Sequence, residues 1–89
     1  MAERDVVIAS SVGLHARPAA LFSQAAAQSG IPVTLTGPSG RTVNAASILG
    51  VLSLGVDHGQ RVTISADGPR GETVVADLAA MLERDLELE

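Results

Sequence analysis

The six residues from Arg61 to Ala66 alternate strictly between polar and apolar side chains. In an extended chain Val62, Ile64 and Ala66 point to one side, and the polar residues between them point to the other. This period of two predicts a strand that packs one face on a core and turns the other to solvent. The chain must therefore build a sheet that is covered on one side only.

The rest of the chain divides into six further segments of regular pattern. We predict strands over residues 4–9, 32–36 and 41–44, helices over residues 16–28 and 46–54, and a last helix with apolar residues at helical spacing, namely Val75, Leu78, Ala79, Leu82 and Leu86. The second and third strands, joined by a four-residue turn, form an antiparallel hairpin. Strands and helices that are each apolar on one face share a core in two layers, with all the helices on the same side of the sheet.

The composition limits the classes of protein to which this chain can belong. Its 89 residues make one small domain, residues 1–89, and its single aromatic residue, a phenylalanine, leaves the core aliphatic. Without cysteine it has neither a disulfide framework nor a thiolate metal site. A formal net charge of −4 argues against a nucleic-acid partner. The sequence shows neither a secretory leader nor an apolar run of about 20 residues, so we expect a cytoplasmic protein that is not inserted in a membrane.

The residues GLHARPAA at positions 13–20 indicate a phosphate site. Pro18 fits the first turn of a helix, because it has no N–H group to leave unpaired there and its φ is already near the helical value. The helix then begins at about Ala16, and His15 stands directly before the N-terminus, where free N–H groups and the helix dipole favour an anion. Arg17 adds a guanidinium that can bind phosphoryl oxygens bidentately. From residue types alone, His15 is either a phosphoryl acceptor or a solvated capping residue.

Two long motifs in this order resemble those of one known family. GLHARPA at residues 13–19 and TVNAASILGVLSLG at residues 42–55 are similar to the motifs of HPr, the histidine-containing phosphocarrier family of the bacterial phosphoenolpyruvate:sugar phosphotransferase system. The resemblance covers nearly the whole chain. It implies an α+β fold of order βαββαβα, an open-faced two-layer sandwich in which a four-stranded antiparallel sheet carries three helices on one face.

The resemblance also implies roles for the residues of the phosphate site. His15 would be the phosphoryl acceptor, modified on its ring Nδ1, while Arg17 and the backbone N–H groups of Ala16 and Arg17 stabilise the phosphoryl oxygens. The group comes from phosphorylated enzyme I, with phosphoenolpyruvate as the ultimate donor, and goes to the IIA domains of sugar permeases. Such a protein is a co-substrate and not an enzyme, and we expect a monomer with no cofactor and no metal.

In the family, the second motif carries a regulatory site and a docking surface. Ser47 matches a serine that a dedicated kinase phosphorylates in some bacteria, with a transcriptional regulator as a further partner; alternatively Ser47, or Asn44, only caps the short helix. Ile48, Leu49 and Leu52 match the face that docks partners, since a helix of two turns cannot bury all its aliphatic residues. The alternative is that all three belong to the core.

Two other functions are compatible with the sequence, and the sequence argues against a third. One is a regulatory binding protein of the same fold, although relatives specialised in this way can dispense with the histidine that this chain retains. Another is a carrier for a nitrogen-linked or dihydroxyacetone branch of the same system. A small histidine-dependent phosphatase would need a partner acid or base, and no such constellation is present in the sequence. His58 lies in a polar turn and is interpreted as a solvated residue.

Overall fold

In the computed structural model of the chain, which describes residues 2–9, 13–14 and 16–83, four strands and three helices follow one another in the predicted order. They are β1 (Ala2–Val7), α1 (Ala16–Gln28), β2 (Val33–Thr36), β3 (Thr42–Asn44), α2 (Ile48–Ser53), β4 (Arg61–Ala66) and α3 (Gly71–Leu82). The ranges of α1 and β4 coincide with the predicted ones. The α+β order βαββαβα is therefore confirmed.

Within the described residues, the strands form one antiparallel sheet with the spatial order β1-β4-β2-β3. In β4, Val62 lies opposite Val6 of β1, and Ile64 lies opposite Leu35 of β2. The predicted hairpin of β2 and β3 is present, with Leu35 opposite Val43. The edge strands are thus β1 and β3, and the strand with the strictest alternation, β4, lies inside the sheet.

One face of the sheet packs against the helices, and the other face is open. The inward residues form one aliphatic cluster around the buried ring of Phe22; they include Val6, Val33, Leu35, Val62, Ile64 and Ala66 from the strands and Ala19, Ala26, Val51, Val75, Leu78 and Leu82 from the helices. On the other face, Thr34 is exposed, and Thr63 and Ser65 are partly exposed. The predicted open-faced sandwich, with three helices on one face, is confirmed.

The first strand lies two residues earlier than predicted, at Ala2–Val7 instead of 4–9. Its pairing with β4 ends opposite Arg61, the first residue of that strand. The next N–H groups, those of Ile8 and Ala9, donate to carbonyl oxygens outside the sheet. The length of the strand is therefore set by its partner, and an apolar run in the sequence does not reveal where the partner ends.

The second helix is shorter than predicted, covering Ile48–Ser53 instead of 46–54. A turn precedes it, in which the Oδ1 atom of Asn44 accepts a hydrogen bond of 2.9 Å from the N–H of Ala46. In the last helix, the predicted apolar residues up to Leu82 are buried, whereas Leu86 lies outside the described residues. These differences concern the ends of elements and leave their number and order unchanged.

Candidate functional site

The segment before α1 is anchored to the loop between α2 and β4. Leu14 is fully buried, and its N–H donates to the carbonyl oxygen of Val56 at 2.9 Å. Gly13 has a φ of +73°, and a Cβ atom at this position would lie 2.4 Å from the same oxygen and 2.7 Å from the Cα of Asp57. A side chain at position 13 would therefore force the two backbone segments apart. Glycine is required here by both the close approach and the backbone conformation.

The first turn of α1 has features that favour an anion. The helix begins at Ala16, as predicted, with Arg17 exposed, Pro18 buried and no acidic residue in the first turn. Backbone N–H groups at a helix start have no partner within the helix, and the helix dipole places partial positive charge there. Together with the guanidinium of Arg17 they can stabilise a phosphoryl group. His15, the predicted acceptor, directly precedes Ala16 in the sequence and lies outside the described residues.

Ser47 is the N-cap of α2. Its φ and ψ are −97° and 112°, and its Oγ atom accepts a hydrogen bond of 3.1 Å from the N–H of Gly50. Of the two candidate caps, Ser47 is the one that caps the helix, because Asn44 bonds instead within the preceding turn. The half-buried hydroxyl lies where the helix dipole favours negative charge. Regulatory phosphorylation of this serine stays a prediction.

The short helix α2 presents two aliphatic side chains to solvent. Leu49 is 77% exposed and Ile48 is 40% exposed, so these two do not belong to the core. Leu52 is half-buried and packs against the core. The three residues predicted to dock partners are therefore not equivalent, because Leu49 and Ile48 are available to a partner and Leu52 only in part.

The contribution of Val56 to the site was not predicted from the sequence. The glycine at position 13 indicated an unusual backbone conformation there. However, four elements of the chain, α1, β2, β3 and α2, separate that backbone from its partner, and such a contact has no local signature. The same loop contains His58, which is exposed, as predicted for a turn residue.

Two kinds of feature, a metal-binding cluster and a membrane-spanning helix, are absent from the part of the chain that the structure describes. Its His, Cys, Asp and Glu residues form no group of three or more that could hold a metal ion. None of its helices combines the length and the apolar character that crossing a membrane requires.

Comparison with known proteins relates this fold and helix start to a family. The family model described as the PTS HPr component phosphorylation site matches residues 2–84. The phosphocarrier protein HPr of Streptomyces coelicolor is 42% identical over 98% of this chain and 94% of its own length, and that of Mycoplasma genitalium is 38% identical over 96% and 97%. The crystal structure of HPr from Bacillus anthracis matches with a TM-score of 0.86 at 37% identity, covering 91% of this chain and 95% of that one.

These likenesses define the class as that of small phosphocarrier proteins, which receive and pass on a phosphoryl group and are not catalysts themselves. The chain belongs to the HPr family of the phosphoenolpyruvate:sugar phosphotransferase system. Membership of this family implies partners within that system.

Proposed function

We propose that this chain carries a phosphoryl group on Nδ1 of His15, accepting it from phosphorylated enzyme I and donating it to the IIA domains of sugar permeases. The observation that supports this most directly is the start of α1, where Arg17 is exposed and the first turn contains no acidic residue, next in sequence to the histidine. A neutral imidazole is a good nucleophile near pH 7. Its phosphoryl adduct retains enough transfer potential to be passed on, which a serine ester does not.

In the accepting step, the lone pair of Nδ1 forms the new bond to phosphorus while the bond from phosphorus to the donor atom of enzyme I breaks. The donor atom keeps that electron pair. The donating step is the same exchange with IIA as the acceptor. In both directions the guanidinium of Arg17 and the N–H groups of Ala16 and Arg17 stabilise the negative charge on the phosphoryl oxygens.

The exposed aliphatic residues of α2 are the proposed docking surface for both partners. Leu49 has the most apolar area to bury on association, Ile48 has less, and Leu52 contributes its exposed part. We place this exchange in the cytoplasm, where phosphoenolpyruvate is available, and expect the carrier to act as a monomer without cofactor, metal or nucleic acid.

Ser47 is the proposed site of regulatory phosphorylation by a serine kinase, with a transcriptional regulator as reader of the phosphoserine. A phosphate at this N-cap is favoured by the helix dipole and still accepts from the N–H of Gly50. The same charge lies next to Ile48 and Leu49, and it must be desolvated when a partner docks there. Modification should therefore weaken docking without unfolding α2.

The test of the carrier function compares the two histidines of the chain. With phosphoenolpyruvate, Mg²⁺ and enzyme I from the same genome, the wild type and His58→Gln should each gain one phosphoryl group by intact mass, lost in acid and retained in alkali. His15→Gln should gain none and keep its circular dichroism. Acid-labile labelling of His15→Gln would contradict the proposal. Absence of labelling in the wild type would contradict it too and favour the regulatory binding protein.

A further inference from the structure

The charges of this chain are unevenly distributed along it. All ten acidic residues lie either at Glu3 and Asp5 or from Asp57 onward. Between Asp5 and Asp57 the residues with a permanent charge are Arg17 and Arg41 alone. The negative charge of the chain therefore belongs to the first strand and to the part from Asp57 onward, whereas the stretch between them is net positive.

The stretch without acidic residues builds both helices next to the proposed phosphoryl site. The described exposed residues of α1 share one outward stripe at helical spacing and are Arg17, Gln24, Ala27 and Gln28. The exposed residues of α2 are Ile48, Leu49 and Ser53. The two helices contact each other on the same side of the sheet, so these residues lie on one surface, which we call the neutral face.

Arg17 is the charged residue of the neutral face, and it lies at the end nearest to His15 in the chain. The acidic residues of the described elements are elsewhere, in β1 and in α3 with its flanking loops. One further acidic residue, Asp57 in the loop before β4, has its backbone against Gly13. The rest of the neutral face, as far as the structure describes it, offers a partner apolar groups, two amides and a hydroxyl.

Packing explains why Gly50, which follows Leu49 in α2, carries no charged side chain, but it does not explain the neutrality of Gln24 and Ala27 in the neutral face. Gly50 lies close to β3, where a Cβ atom would be 3.3 Å from the Cβ of Val43 and 3.5 Å from the carbonyl oxygen of Asn44. A long cationic side chain there would meet the backbone of the sheet. Gln24 and Ala27 are exposed and have room for lysine, so their neutrality is not imposed by the fold.

We propose that the neutral face selects an enzyme I whose docking surface is itself apolar and uncharged apart from the phosphoryl group that faces Arg17. This inference rests on the proposed carrier function and adds the chemistry of the partner. Charges at the rim of an interface steer association and make it depend on salt, whereas apolar contacts are not weakened by salt. If the docking surface of enzyme I were acidic, its carboxylates would lose hydration against the neutral face. The neutral face offers them no cation beyond Arg17, so this loss would not be offset by ion pairs.

The test is the salt dependence of binding between the full-length carrier and enzyme I from the same genome. Between about 0.1 M and about 1 M NaCl the Debye length falls from roughly 10 Å to roughly 3 Å, which suppresses exposed ion pairs. We expect the Kd measured by titration calorimetry to rise by less than about fivefold over this range. A rise of fivefold or more would overturn the proposal, and so would the absence of binding at both concentrations.

A pair of charge-matched variants makes the test independent of general salt effects. Gln24→Lys adds one positive charge to the neutral face, and Thr34→Lys adds one to the open face of the sheet, where Thr34 is exposed. At the lower salt concentration both should bind enzyme I with the same Kd. Binding by Gln24→Lys that is tighter by threefold or more than that of Thr34→Lys would reveal an acidic partner surface and overturn the proposal.

The labelling experiment on His15 separates the two conclusions. If phosphoenolpyruvate-dependent labelling succeeds and binding is strongly salt-dependent, the carrier function stands and only the apolar character of the partner surface is wrong. If labelling fails, the carrier function itself is wrong, whatever the salt dependence.

Discussion

Arg17 contributes more than a positive charge to the proposed transfer, because its planar guanidinium offers parallel N–H donors to phosphoryl oxygens. Arg17→Lys keeps the charge in the first turn of α1 and loses this geometry. We expect the rates of transfer from enzyme I and to IIA, measured by rapid quench, each to fall about tenfold. Arg41→Lys, at an exposed position between β2 and β3, is the matched control and should transfer at the wild-type rate. Equal rates for Arg17→Lys and wild type would mean that the backbone N–H groups suffice.

Gly13 tests how firmly the site depends on its anchor to Val56. An alanine in the left-handed region costs about 1 kcal/mol or somewhat more at any position, and at Gly13 its Cβ would also collide with a carbonyl oxygen. We expect Gly13→Ala to lower the free energy of unfolding, measured in urea, by about 3 kcal/mol or more and to slow phosphorylation of His15. Gly40→Ala is the control, since Gly40 also has a positive φ but has nothing within 4 Å of a Cβ. If Gly13→Ala and Gly40→Ala lost the same free energy of unfolding, the backbone at Val56 would be able to move away from the added Cβ at little cost.

At the scale of elements, the start of α2 combines a cap with a proposed docking surface, and two substitutions of Ser47 separate these roles. Ser47→Asp should weaken binding to enzyme I more than Ser47→Ala, because its charge must be desolvated beside Ile48 and Leu49. Stability should change in the opposite sense. Aspartate caps a helix and complements its dipole, so Ser47→Asp should unfold with a free energy about 1 kcal/mol higher than Ser47→Ala. Wild-type affinity of Ser47→Asp for enzyme I would exclude α2 as the docking surface.

The elements that could be predicted are those whose signals are local. Pro18 marks the start of α1, and the alternation of β4 fixes both its range and its buried face. The range of β1 and the spatial order of the strands could not be predicted. The alternation of polar and apolar residues shows which face of a strand is buried, but it does not show which other strand pairs with it. For the site, the helix start with Arg17 was predictable from the sequence. The attachment of Gly13 to Val56 was not, since it joins distant parts of the chain.

At the scale of the whole molecule, we expect phosphoryl transfer to depend on the helical side of the sheet and not on its open face. On the open face the hydroxyl of Thr63 donates to Oδ1 of Asp5 at 2.6 Å and so links β4 to the edge strand β1. Thr63→Val keeps the shape and removes this exposed hydrogen bond. We expect a loss of about 1 kcal/mol or less in the free energy of unfolding and an unchanged rate of phosphoryl transfer.

Leu49→Ala, on the helical side, is the complementary variant. It should leave the unfolding free energy unchanged, since Leu49 is mostly exposed, and raise the Kd for enzyme I about tenfold. Slower transfer by Thr63→Val, or unchanged binding by Leu49→Ala, would contradict the assignment of function to the helical side.

The position of β4 between β1 and β2 determines when this protein can fold. During synthesis β1 leaves the ribosome first, yet its partner β4 is the last strand of the described chain to be made. Pairing them closes a loop that contains two helices and the β2–β3 hairpin, and the entropy of that closure is lost before the contacts form. The nascent chain must therefore keep its first strand unpaired until β4 has emerged. The loop that leads into β4 also contacts Gly13 and Leu14, so the proposed phosphoryl site can form only in that same late step.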